Sequence, residues 1–84
     1  MTNPFNPTTA IRYGLPEDGN VSLVIYDIRG NEVKTIIAEP LMAGWYEHTW
    51  NGMDDSGLMV PTGIYMAQLH TGSQVQTIKM LYLK

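Results

Sequence analysis

"VSLVIYDIRGNEVKTIIA", Val21 to Ala38, sets two strand-like runs either side of a tight turn, and its reading decides the fold. Val21, Leu23 and Ile25 recur at every second position, while Ser22, Val24 and Tyr26 fall on the opposite face. That two-residue period belongs to a strand, not a helix. A run apolar on both faces implies a strand that is central in its sheet or covered on both sides. Arg29-Gly30-Asn31 supplies the turn, because Gly30 takes positive φ without a Cβ penalty. Glu32 to Ala38 returns with Val33, Thr35 and Ile37 in phase, although Ile36 is also apolar and leaves the phase ambiguous.

The same chemistry repeats outward in both directions. In Thr8 to Leu15 the residues Ile11, Tyr13 and Leu15 alternate with Ala10, Arg12 and Gly14, and Pro16 ends the strand by withholding a donor. Asp18-Gly19-Asn20 turns the chain. Glu39 to Gly44 reads as a connection, feeding an aromatic strand from Trp45 to Trp50 in which Trp50 points inward. Asn51-Gly52 stops that strand, and Met53 to Thr62 is the longest irregular stretch. After Gly63, expected to need positive φ or close strand approach, Ile64 to His70 carries Tyr65, Ala67 and Leu69 on one face. Thr71-Gly72-Ser73 turns into a last strand, Gln74 to Leu83. Six or seven strands without helical periodicity predict an all-β, immunoglobulin-like antiparallel β-sandwich. Its expected core is Ile11, Tyr13, Val21, Leu23, Ile25, Trp50, Tyr65 and Leu69.

Composition bounds the chemistry. Eighty-four residues make a single domain, residues 1–84, which buries only roughly 60–65% of its unfolded surface. There is no cysteine to staple the thin core, so β packing and aromatic bulk must hold it. Eight acids against five bases, with no basic cluster, give a net charge of -3 and no footprint for nucleic acid or anionic lipid. No apolar run approaches the ~20 residues of a membrane span, and no signal peptide opens the chain. Met1 ahead of "NPFNP" reads as a start added where a longer parent was cut.

Each candidate site has a plainer reading beside it. Asp54 and Asp55, with Asn51 and Ser56, could offer oxygens to calcium, but their spacing fails the D-x-[DN]-x-[DN]-G template and favours a solvated turn. His48 and His70 lack a partner cysteine or a His-x-x-x-His spacing, which favours strand histidines facing a neighbour. No nucleophile comes with a base and an orienting group, so neither catalysis nor a cofactor is expected. The rings of Trp45, Tyr46, Trp50, Tyr65 and Tyr82 either stack sugars or fill the core.

Three stretches taken together carry a family resemblance. "NPFNPTTAIRYGLPEDGNVSLVIYDIRGNEV", "AGWYEHTWNGMDDSGLMVPTGIYMAQL" and "KMLYLK" resemble the C-terminal sorting domain of type IX secretion cargo, type A. That family overlaps with the immunoglobulin-like module related to the flagellar hook-capping protein. The resemblance implies a non-catalytic domain excised from a secreted parent, with residues 1–7 as linker junction and first strand edge and Phe5 capping the core end. It implies recognition by outer-membrane secretion machinery through Gly63, Tyr65, Lys79, Met80 and Lys84, and export through the periplasm to the cell surface or medium. The closing lysines are equally readable as solvated edge charges.

Two alternatives stand beside the sorting domain. One is a carbohydrate-binding module of a secreted glycoside hydrolase, which requires Trp45 and one or two tyrosines exposed and coplanar. The other is a structural immunoglobulin-like spacer or assembly domain, with a weak edge-strand homodimer as an associated expectation.

Overall fold

Six strands take up the alternating runs: β1 Thr9–Leu15, β2 Gly19–Asp27, β3 Glu32–Leu41, β4 Gly44–Trp50, β5 Gly63–Thr71 and β6 Gln74–Tyr82. They come from a computed structural model that describes residues 9–83. β1 pairs with β4 in a two-stranded sheet, and the other sheet has the order β3-β2-β5-β6. All the strand pairings are antiparallel. The immunoglobulin-like sandwich read from the alternation is therefore the observed fold, while the expected junction over residues 1–7 lies outside the described residues.

The core forms where the alternating faces of the two sheets meet. Ile11, Tyr13 and Leu15 of β1 and Trp50 of β4 are buried on one side; Val21, Leu23 and Ile25 of β2 and Tyr65, Ala67 and Leu69 of β5 are buried on the other. Each large apolar side chain so buried stabilises the fold by about 1.5–3 kcal/mol. β2 sits between β3 and β5, which explains its apolar second face: Val24 and Tyr26 are half-buried rather than exposed.

An irregular register resolves the ambiguous phase of β3. Leu23 faces Ile37 and Val24 faces Thr35, so Ile36 is the extra residue of a bulge; a second shift between Ile25 and Tyr26 leaves out Val33. Bulges let consecutive residues share a side. Val33, Ile36 and Ile37 all pack against the core. The expected connection from Glu39 to Gly44 is corrected in part, because β3 runs on to Leu41 and Pro40 faces Asn20. β3 is an edge strand, where alternate N–H groups have no ladder partner and a proline can be accommodated.

Turn residues close the strands as their chemistry requires. The Asp27 carboxylate accepts the backbone amides of Arg29 and Asn31, each at 2.9 Å. Gly30 has φ +86°, as the turn reading expected. The expectation for Gly63 is overturned: its φ lies outside the left-handed region, and an added Cβ would meet only Tyr65 Cε1 at 3.9 Å. The glycine that cannot change is Gly52, with φ +81° and the Tyr82 ring in the place of a Cβ.

Candidate functional site

The residues expected to meet a partner lie on β5 and β6, which form a hairpin along one flank of the sandwich. Tyr65 and Met80 are buried in the core. Gly63 is half-buried opposite Tyr82. Lys79 is exposed on β6, and Lys84 lies outside the described residues. The five are therefore not brought together on one accessible surface.

Tyr65 shows what the Val-Pro-Thr-Gly-x-Tyr motif does. Its hydroxyl donates to the Pro61 carbonyl at 2.6 Å, pinning the loop to the start of β5 in the manner of the tyrosine corner of immunoglobulin-like sandwiches. Its ring meets Trp50 edge-on at 5.2 Å, and Tyr82 lies 5.4 Å from Trp50 and 6.4 Å from Tyr65. Trp50 Nε1–H donates to the Met53 carbonyl at 2.9 Å, so the tryptophan is inward and satisfied. Desolvation, with the Asp27 carboxylate adding to it, raises the Tyr65 pKa.

The acidic loop spends its oxygens on its own backbone. Asp54 Oδ1 accepts the amides of Ser56 at 2.9 Å and Leu58 at 3.0 Å. Asp55 turns to β3 instead: its amide donates to the Val33 carbonyl at 3.0 Å and its carboxylate accepts the Thr35 amide at 3.3 Å. That docking covers part of the β3 edge, a role the sequence reading missed. Among the described residues no group of three or more His, Asp or Glu side chains could hold a metal ion. His48 Nε2 lies 3.0 Å from the Tyr13 hydroxyl, and His70 Nε2 lies 3.1 Å from Gln68 Oε1, so the two histidines are engaged separately.

Trp45 is 87% exposed and lies over Gly14 on the opposing strand, where a Cβ would come within 2.8 Å of its ring. Trp50, Tyr65 and Tyr82 are buried and Tyr46 is half-buried, so among the described residues these rings form no exposed coplanar row with it. A trough of about 340 Å³ runs between Arg12–Leu15 and the Gln74 and Gln76 end of β6. It is open along its length, unlike the enclosed apolar pockets that bury small ligands.

β6 is the other accessible feature. It pairs with β5 without a register shift, and among the described residues no strand lies on its far side. Val75, Ile78 and Leu81 are exposed along it. Sequence reasoning named the lysines and overlooked these three, although their apolar chemistry on a last strand was visible.

The family model of the FlgD Ig-like domain matches residues 5–74. Among solved structures, FlgD from P. aeruginosa superposes with a TM-score of 0.68 and is 26% identical. The alignment covers 90% of this chain and 61% of that chain, so the sequence spans less than two thirds of the FlgD structure it resembles. No curated protein matches.

These matches overturn the type IX sorting assignment, and the carbohydrate-binding alternative with it. The physical reason lies in the motifs that carried the resemblance. The Asp27 turn, Trp50 with Gly52, and Pro61 with Tyr65 are fold-building contacts, and such contacts specify a sandwich without specifying its use. With most of its length matched, the chain belongs to the family of FlgD Ig-like domains.

Proposed function

We propose that this chain is a non-catalytic structural module of a hook-capping-type assembly protein, offering a rigid sandwich for contact with other protein subunits. The observation that carries this reading is the match to the FlgD Ig-like family over residues 5–74, joined to a superposition on FlgD that covers 90% of the chain. The side chains agree with it. The carboxylates of Asp27 and Asp54 are spent on turns, that of Asp55 on the Thr35 amide of β3, and the Tyr65 and Trp50 donors on backbone carbonyls. The accessible features are those of a docking surface: a β6 edge with no strand beside it among the described residues, and an exposed tryptophan.

The test is a domain exchange. The Ig-like domain of P. aeruginosa FlgD is replaced by residues 9–83, and hook assembly is followed by electron microscopy alongside immunoblotting of the chimaera. Hooks of normal appearance support the reading. A stable, abundant chimaera that yields no hooks refutes it.

A further inference from the structure

Nearly every edge of a β-sheet is either covered or used, and the two edges of the four-stranded sheet are treated differently here. The β3 edge carries Pro40, two bulges and the Asp55 loop hydrogen-bonded to Val33 and Thr35. These are devices that keep an edge from pairing. Among the described residues β6 has none of these three. It is nine residues long, continuous in register, free of proline, and charged only at Lys79. Such an edge is a template for an added strand.

The hairpin geometry says which β6 groups are offered. Thr71 and Gln74 close a two-residue turn and so form a hydrogen-bonded pair. Bonding then alternates along the ladder, so Gln76, Ile78 and Met80 bond to β5 while Val75, Thr77, Lys79 and Leu81 present their N–H and C=O groups outward. The side chains of those four residues stand on the outer face of the sheet, opposite to buried Met80 and Tyr82.

We infer that β6 pairs with β6 of a second copy, antiparallel, about a two-fold axis at Ile78. A two-fold axis perpendicular to a continuous sheet must pass through a residue, or midway between residues of equal parity, so that inner faces stay aligned. The register centred on Ile78 places Ile78 against its own counterpart and Leu81 against Val75 of the second copy. Their exposures of 39%, 62% and 54% are then relieved by apolar partners. Lys79 stands opposite Thr77. Centring on Lys79 would set like charges face to face, which is destabilising; centring on Thr77 would set Val75 against Lys79 and Ile78 against Gln76. The preferred register also makes the outward-facing residues directly opposed, Thr77 to Lys79 and Val75 to Leu81, and each such pair exchanges two hydrogen bonds.

A single strand pair buries less than the roughly 1,000 Å² of a durable interface, so the association is transient and concentration-dependent. The two lysines lie one diagonal apart, so added salt strengthens the pairing by screening them. This inference rests on the strand edge alone and is independent of the hook-capping reading.

The test is sedimentation equilibrium of the 84-residue chain from about 10 μM to about 1 mM, with two variants. The expected result is a weight-average mass that rises toward twice the monomer value and rises further with salt. Thr77→Pro removes an outward N–H that β5 does not use, and is expected to hold the mass at one-fold while circular dichroism stays unchanged. The chain has no cysteine of its own. Ile78→Cys places two thiols across the axis, in a non-hydrogen-bonded pair with Cα atoms about 4.5 Å apart, which is within disulfide range. It is expected to crosslink on mild oxidation at least tenfold faster than Thr77→Cys. A one-fold mass throughout leaves the edge for a strand of another protein and overturns the proposal. So does a dimer in which Ile78→Cys crosslinks no faster than Thr77→Cys, whether or not Thr77→Pro folds.

Discussion

Replacing Gly52 by alanine tests the packing at the centre of the sandwich. Gly52 is buried at φ +81°, and a Cβ there would lie 2.2 Å from Tyr82 Cζ and Oη and 2.5 Å from Cε1. The ring cannot simply swing aside, because Trp50 and Tyr65 pack against it. Two costs follow. The left-handed backbone costs a non-glycine residue about 1–2 kcal/mol, and displacing a packed ring costs about 1–3 kcal/mol. Together they give about 2–5 kcal/mol, a large share of the roughly 5–15 kcal/mol that holds a domain folded. Urea unfolding followed by tryptophan fluorescence reads the loss, since Trp50 is 1% exposed and reports the core while Trp45 is already in solvent. Gly63→Ala is the control: its Cβ would meet nothing nearer than 3.9 Å, so its stability should stay within about 0.5 kcal/mol of the parent. Equal midpoints for Gly52→Ala and Gly63→Ala would refute the reasoning.

Three further outcomes are expected. Trp50→Ala should cost about 3–5 kcal/mol by leaving a cavity between the sheets, measured by urea titration followed by circular dichroism, since the remaining Trp45 is already in solvent; a loss below about 1 kcal/mol is the contrary result. The Asn31 and Arg29 amides hold Asp27 below its usual 3.8, despite some desolvation. A depressed carboxyl stabilises the fold above its unfolded pKa and loses that contribution as pH falls through the folded value, so Asp27→Asn should flatten the acid limb of a plot of melting temperature against pH. Burial raises Tyr65 above 10.0, with Asp27 and Tyr82 adding to it, and burial raises Tyr13 likewise, with Tyr46 adding to it. Their contribution is complete below pH 10.0 and is lost as pH rises through the folded values, so unfolding by alkali should begin above that pH and begin later in Tyr13→Phe.

Strand identity was legible because half-buried strands write their pattern into every second residue. Ile11, Tyr13 and Leu15 are buried as their alternation indicated, and so are Tyr65, Ala67 and Leu69. β3 was harder, since two bulges break the period and put Ile36 and Ile37 on the core together. Which glycine was fixed could not be read either: Gly52 is constrained by Tyr82, thirty residues further along the chain, and no local pattern announces such a contact. The resemblance to the immunoglobulin-like module of the hook-capping protein held, while the type IX part went astray for a related reason. Its most visible residues, Trp50, Tyr65 and Met80, are core residues, while the accessible β6 positions Val75, Ile78 and Leu81 look like ordinary strand filler until the sheet order shows them at an edge.

Residue-by-residue amide hydrogen exchange by NMR at low protein concentration tests the arrangement of β6 most directly. With β6 at the sheet edge, the amides of Gln76, Ile78 and Met80 bond to β5 and should exchange slowly, while those of Val75, Thr77, Lys79 and Leu81 should exchange quickly. Uniform protection along Gln74–Tyr82 would place another strand beside it and contradict the edge on which the docking role depends.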